Sequence, residues 1–340
     1  MKTMISQNST IGFIGLGAMG QLMARRLLTS GFKLVVYDHT SRKASALVAD
    51  GAMAAPSVRQ LSRKSDVVIS CLPNDEAVLS VYQGPEGVLA CANSSSIAIE
   101  MSTISPDTSR MLNRMGRERG IEVLDVAISG STPAAEQGTL TLLGGGDANV
   151  FDACKPIFSA VAKQYFHMGP SGSGTAMKLV VNALLGVNMQ AIAEAVAFGE
   201  KAGLNRELLL QVLSRTAVVA PAHQNKLLRA EHHDYSPQFP LKLMNKDFKL
   251  ILEKANELGA PMPLTAAALQ INAARTSLSP DEDFSSVIAE MERLARVSED
   301  SQPAALRSKL KNPGSAVTDA TTATRSKSAV QPVQGNPNKS

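Results

Sequence analysis

The sequence predicts an α/β fold: a doubly wound parallel sheet in the first half of the chain, then an all-helical domain. Two observations carry this. Strand-like and helix-like segments alternate up to about residue 169, the pattern of βαβ units. Beyond it the pattern turns helical and no strand signal returns. A third observation, a glycine-rich turn after the first strand, fixes where the sheet begins.

Taken in order, Thr10–Ile14 is a short apolar, β-branched run that ends in glycines. Gln21–Ser30 carries apolar residues at helical spacing and stops at Gly31, a natural helix end. Lys33–Tyr37 reads as a second strand, Asp66–Cys71 as a third, Ser96–Glu100 as a fourth and Ile121–Val126 as a fifth. From Gly174 to about Ala202 the chain reads as one long helix rich in Ala, Leu, Val and Met. Further helices are expected around 205–217, 221–230, 242–259, 263–277 and 283–297. The expected division is a leader over 1–10, the sheet domain over 11–169, the helical domain over 170–298 and a tail over 299–340.

Composition narrows the class. The 340 residues are 44% hydrophobic and 19% charged, enough to bury a sizeable core. Cys71, Cys91 and Cys154 form no CxxC, so neither a disulfide scaffold nor a metal site is expected, and a reducing, cytoplasmic setting is. The N-terminus lacks the apolar stretch of a signal peptide. No uninterrupted apolar run reaches the roughly 18 residues of a bilayer span, so no membrane partner is expected. The net charge is +4, but residues 301–340 hold +5 of it. The remainder is −1, which gives no electrostatic reason to expect nucleic acid. The tail, rich in Ser, Thr, Ala and Pro without aromatics, is expected to be disordered, either idle or a weak tether to an anionic partner.

The glycine-rich turn is GFIGLGAMG, with Gly15-x-Gly17-x-x-Gly20 between a strand and an amphipathic helix. In that context it is a dinucleotide fingerprint, and the sheet domain is of the Rossmann type. Gly15 allows the tight turn, Gly17 lets a pyrophosphate approach the backbone, and Gly20 lets helix pack on strand. Leu16, Ala18 and Met19 complete the turn, whose helix N-terminus favours phosphate. An acid is expected about 20 residues on, and Asp38 stands at the end of the second strand. A carboxylate there accepts the ribose hydroxyls of NAD and repels the 2′-phosphate of NADP. His39, Arg42 and Lys43 oppose that preference, so the cofactor is NAD or NADP, leaning to NAD.

Two further stretches carry chemistry. In DVAISGSTPAAEQG, Ser129, Gly130 and Ser131 follow the fifth strand, where exposed amides can hold a carboxylate. In GPSGSGTAMKLVVN, Lys178 and Asn182 lie four apart and share one face of the long helix. Each alone has a plainer reading, as an ordinary loop and as a lysine snorkelling from an apolar helix.

These motifs and the later FPLKLMNKD together resemble the β-hydroxyacid dehydrogenase family over about residues 11–297. The family includes 3-hydroxyisobutyrate dehydrogenases, tartronate semialdehyde reductases and glyoxylate/succinic semialdehyde reductases. The resemblance implies that Lys178 is the catalytic lysine, supported by Asn182. It places Ser129, Gly130 and Ser131 at the substrate carboxylate, Thr103 beside the nicotinamide, and Leu72 and Pro73 on a cofactor-lining turn. Phe239, Lys246 and Asp247 fall on a closing segment, Lys246 towards the cofactor and the other two towards the substrate. Ser131 and the FPLK segment are most like the glyoxylate/succinic semialdehyde reductases. That branch often has Asn-Arg-Thr where this chain has Asp38-His39-Thr40, a departure that favours NAD.

The resemblance therefore implies hydride transfer between a nicotinamide cofactor and a small carboxylate-bearing aldehyde or hydroxy acid, in a homodimer or homotetramer. A non-catalytic sensor of nicotinamide state is the alternative of another class. For Lys178 to act as base its pKa must fall from about 10.4. Burial lowers it and the substrate carboxylate raises it, so the sequence leaves the sign open.

Overall fold

The computed structural model describes residues 5–297. Residues 1–4, and 298–340 with the expected tail, lie outside the described residues.

The chain begins with β1 (Thr10–Ile14), α1 (Gly20–Thr29), β2 (Lys33–Tyr37), α2 (Ser45–Ala49) and β3 (Met53–Ala54). It continues through α3 (Val58–Arg63), β4 (Val67–Ser70), α4 (Asp75–Tyr82), α5 (Val88–Cys91), β5 (Ile97–Glu100) and α6 (Pro106–Arg117). Then come β6 (Glu122–Ser129), α7 (Thr132–Gln137), β7 (Leu140–Gly145), α8 (Ala148–Ala153), α9 (Lys155–Val161) and β8 (Ala162–Gly169). The rest is helical: α10 (Ser173–Lys201), α11 (Arg206–Ser214), α12 (Pro221–Glu231), α13 (Leu241–Leu258), α14 (Pro263–Leu278) and α15 (Val287–Leu294).

The eight strands form one sheet in the order β3-β2-β1-β4-β5-β6-β7-β8. Alternate side chains feed two cores. Ile11, Phe13, Val67, Ile69, Ile97 and Ile99 enter one, while Ile14, Val68, Ala98 and Val123 enter the other. Burial on both faces is what a parallel sheet wrapped by helices requires, and β4 and β5 are buried along their whole length.

Three strands were not foreseen, and the sheet is not wholly parallel. β6 pairs β7 antiparallel, while every other pairing is parallel. The short α7 closes on Gly138 in the left-handed conformation, which turns the chain back beside β6. With that partner β6 runs on to Ser129, registered with Thr141, so Ser129 ends a strand where a loop was expected. The expected last helix is split into a 3₁₀ turn, Phe284–Ser286, and α15.

α10 crosses from the sheet into the helical part, packing on β6 and β7 and on α13, α14 and α15. Its start is fixed by Asp125 of β6, which accepts hydrogen bonds from the amides of Gly172 at 2.8 Å and Thr175 at 3.0 Å. Gly174 makes that docking possible. A Cβ there would stand 2.4 Å from the Leu143 carbonyl oxygen and 2.5 Å from that of Asp125. By length and composition α10 could cross a membrane, which counting uninterrupted apolar runs did not anticipate. One face of it is in the core: Met189, Ala193 and Val196 lie in the cluster shared with Met244, Phe248 and Ile288.

Candidate active site

The glycine turn leaves β1 and enters α1. Gly15 has φ +92°, and a Cβ on it would stand 2.3 Å from the Cys71 carbonyl oxygen. One on Gly20 would stand 2.0 Å from the Gly15 carbonyl oxygen. Gly17 differs: a Cβ would meet nothing within 4 Å. Two glycines are thus required by the protein's own packing, while the third faces open space. A bare, open backbone at a helix start suits a pyrophosphate. Met19, the residue before α1, offers no side-chain cap to the first amides. The turn fits the dinucleotide.

Asp38 is buried beside this turn. Its Oδ2 accepts from the Leu16 amide and its Oδ1 from the Thr40 amide, each at 2.8 Å. The carboxylate meant for a ribose therefore also ties β1 to the turn after β2. Burial works against its ionisation, but the two amides and Lys43, 3.4 Å from Oδ1, hold its pKa below the usual value. His39 points its Nδ1 to Oδ1 at 3.4 Å and is otherwise exposed.

Leu72 and Pro73 follow β4, and Thr103 follows β5. The Leu72 amide donates to Ser102 Oγ at 2.7 Å, joining the two turns. Below them lies a polar cluster that sequence reasoning passed over: Ser70, Tyr82, Glu100 and Ser102, all buried. Its signal was a polar residue at the end of each of two otherwise apolar strands, VVIS and IAIE.

Lys178 and Asn182 lie in the first half of α10, Lys178 half-buried and Asn182 buried. Burial pushes the Lys178 ammonium down to about 8; Lys246 adds to the fall and the Asp247 carboxylate resists it. Asn182 donates its amide to Asp247 Oδ2 at 2.5 Å. Asp247 Oδ1 lies 2.8 Å from Lys246 Nζ, which also donates to the Thr103 carbonyl. Asn182, Asp247, Lys246 and Thr103 are thus linked in one chain of contacts, and Lys178, one helical turn before Asn182, feels the charges of Asp247 and Lys246. Asn182 Oδ1 is buried with no protein partner, an acceptor left over at the lysine.

The expected carboxylate loop lies at the end of β6. Ser129 is half-buried, and Gly130 and Ser131 are exposed. Ser131 precedes α7 without capping it, so its hydroxyl is uncommitted there. Phe239 is half-buried: its ring meets Phe284 edge-on at 5.7 Å and its amide donates to Asp283. Both contacts tie it to the helical core, against which it packs.

Comparison with known proteins bears on this site. Residues 10–169 match the family model for the NAD binding domain of 6-phosphogluconate dehydrogenase. Residues 172–291 match the one described as NAD-binding of NADP-dependent 3-hydroxyisobutyrate dehydrogenase. The chain is 36% identical to 2-(hydroxymethyl)glutarate dehydrogenase of Eubacterium barkeri, over 85% of this chain and 96% of that one. It is also 36% identical to glyoxylate/succinic semialdehyde reductase 1 of Arabidopsis thaliana, over 82% of this chain and 96% of that one. Among solved structures it resembles Mycobacterium tuberculosis 3-hydroxyisobutyrate dehydrogenase with L-serine. There the TM-score is 0.76 and the identity 32%, over 83% of this chain and 98% of that one.

Proposed function

The chain belongs to the β-hydroxyacid dehydrogenase family, and from that premise we propose that it interconverts a short hydroxy acid and its semialdehyde or oxo acid, with Lys178 moving the proton. As a member it is a nicotinamide-dependent oxidoreductase acting on CH–OH groups. The observation that carries the proposal is the buried Asn182–Asp247 hydrogen bond one helical turn from Lys178, where burial pushes the lysine amine down to about 8. A lysine left near its usual value would stay protonated and could not serve as base near neutral pH.

The bound cofactor supplies the hydride chemistry. The chain supplies the rest. Gly15, Leu16, Gly17, Ala18, Met19 and Gly20 hold the pyrophosphate, and Asp38 the adenosine ribose. Ser129, Gly130 and Ser131 hold the substrate carboxylate, leaving its carbonyl within reach of Lys178. In reduction, Lys178 Nζ gives a proton to the carbonyl oxygen; in oxidation it takes the hydroxyl proton back. Asn182 is fixed through its amide by Asp247, so its Oδ1 is free to accept from the substrate hydroxyl or from Lys178.

The substrate closest to the sequence motifs is glyoxylate or succinic semialdehyde; 3-hydroxyisobutyrate and tartronate semialdehyde are the runners-up. The buried Asp38 carboxylate supports NAD over NADP. A second copy of the chain is the expected protein partner. Val180, Leu184 and Phe198 share one face of α10 and are 55%, 62% and 76% exposed. Light scattering that gives a monomer would refute that partner.

The deciding experiment follows NADH and NADPH absorbance against glyoxylate and succinic, tartronate and methylmalonate semialdehydes. Turnover with one of them, faster with NADH, is expected. Tight cofactor binding without turnover on any would favour a non-catalytic sensor.

A further inference from the structure

We propose that Glu100 is a positioning residue for the cofactor, its buried carboxylate setting both turns that line the nicotinamide side of the site. The inference rests on the nicotinamide-dependent reading above.

Glu100 ends β5 and is 1% exposed. Its Oε1 accepts from the Ser102 amide at 2.6 Å, and its Oε2 accepts from Ser70 Oγ at the end of β4. Ser70 Oγ lies 2.7 Å from the Tyr82 hydroxyl on α4. Ser102 Oγ in turn accepts from the Leu72 amide. One carboxylate therefore fixes Ser70 and Ser102, and through Ser102 it fixes Leu72. The next residue is Thr103, whose carbonyl receives Lys246. In an open α/β sheet this carboxyl end of the strands is where ligands sit.

The donors and acceptors match in one charge state only. With Glu100 ionised, Tyr82 donates to Ser70, Ser70 donates to Oε2, and the Ser102 amide donates to Oε1. A proton on Oε2 turns the Ser70 contact round, so that Glu100 donates and one hydroxyl hydrogen, of Ser70 or of Tyr82, is left without an acceptor in this cluster. A proton on Oε1 sets a donor against the Ser102 amide. Either way the Ser70–Ser102 link is disturbed.

No cation forms an ion pair with Glu100 among the described residues. Asp75 on α4 faces it and repels it, and the Cys71 thiol at the end of β4 is itself pushed up to about 12 by burial and by Glu100. Across β6 its register partner is Asp125, which spends its oxygens on Gly172 and Thr175. Burial raises Glu100 to about 7, against the hydrogen bonds from Ser102 and Ser70. A charge so costly to bury, placed under two cofactor turns, is suited to positioning them.

The test is NADH binding to the full chain, followed by nicotinamide fluorescence across neutral pH. Wild type is expected to weaken about tenfold as pH falls from about 8 to about 6. Glu100→Gln mimics the protonated acid, so it should bind weakly at both values with no pH step. Its loss should fall on the cofactor KM more than on kcat. Glu100→Asp should restore the pH step. Should Glu100→Gln fail to fold, Ser102→Ala removes the acceptor of the Leu72 amide and should weaken NADH similarly. If the foldable variant binds NADH as wild type does, with the same pH profile, the inference is overturned. A wild-type chain that binds neither NADH nor NADPH overturns the proposed function and this inference together.

Discussion

Asn182 and Asp247 stand 65 residues apart in sequence and 2.5 Å apart in space, amide to carboxylate. That bond ties α10 to α13. Through Lys246, which pairs with Asp247 and donates to the Thr103 carbonyl, it reaches the turn after β5. Lys178 lies one helical turn before Asn182. The lysine therefore stands one turn from a frame whose members come from the sheet, the long helix and the helical core.

Replacing Lys178 should separate chemistry from binding. A positioned acid–base group is worth roughly 10²–10⁴ in rate. Lys178→Ala should lose turnover on that scale while NADH affinity stays near wild type. Lys178→Arg should not rescue it, because a guanidinium stays protonated. Steady-state kcat beside a cofactor titration checks this, and near wild-type turnover in Lys178→Ala would remove the lysine from the mechanism.

The Lys178 pKa of about 8 sets the direction of the pH profiles. Oxidation needs the neutral amine, so kcat/KM for the hydroxy acid should rise with pH and level off above about 8. Reduction needs the ammonium and should fall over the same range. Asp247 pulls this pKa upward. Asp247→Asn should therefore move both inflections to lower pH. An inflection that moves upward or stays in place would break the link between the two groups.

Asp38 carries two duties that its motif alone did not show. Asp38→Asn keeps one acceptor for the Leu16 and Thr40 amides and loses the charge that repels a 2′-phosphate. The ratio of NADPH to NADH efficiency should rise, and denaturant melts should show a loss of roughly 1–2 kcal/mol. A changed ratio with no loss of stability would show that the backbone bonds are dispensable.

Local pattern explains what could be read from the chain. β1 and β2 match their expected bounds, because β-branched runs between glycines and charges leave little choice. Lys178 and Asn182 were readable together, because helical spacing alone puts them on one face. β8 was not. It lies at the sheet edge with Phe166 50% and Met168 39% exposed, so it shows neither alternation nor a buried run. β3 is two residues long, below any periodic signal. The Ser70–Glu100–Ser102 cluster exists only once β4 and β5 lie side by side, and the Asp125 clasp only once α10 docks.

That docking gives a prediction about Gly174. An added Cβ would press on two backbone carbonyl oxygens, neither of which can turn aside as a side chain can. Gly174→Ala should cost roughly 1–3 kcal/mol in unfolding and shift the start of α10. Lys178 is carried on the same helix, one turn on, so kcat should fall with stability. Crowding that only weakened the fold would lower the melting temperature and leave kcat intact below it.

Glu100 should oppose itself in stability and in binding. Its folded pKa of about 7 lies above the unfolded value near 4.5. A carboxyl raised in this way contributes stability that is full below the unfolded pKa and is lost as pH rises through the folded one. Over that window the loss is roughly 3 kcal/mol relative to a side chain that does not titrate. Glu100→Gln should therefore gain on wild type between about pH 5 and pH 8, by an amount that levels off above about 7. Urea unfolding of both proteins at several pH values isolates this term, because the other buried carboxyls, Glu200 and Glu292 among them, are common to both. Cofactor binding runs the other way, strongest where Glu100 is ionised and the fold is least favoured. A stability difference that stays constant with pH would mean that folding leaves the Glu100 pKa at its unfolded value, and the pH step in NADH affinity should then vanish from the neutral range.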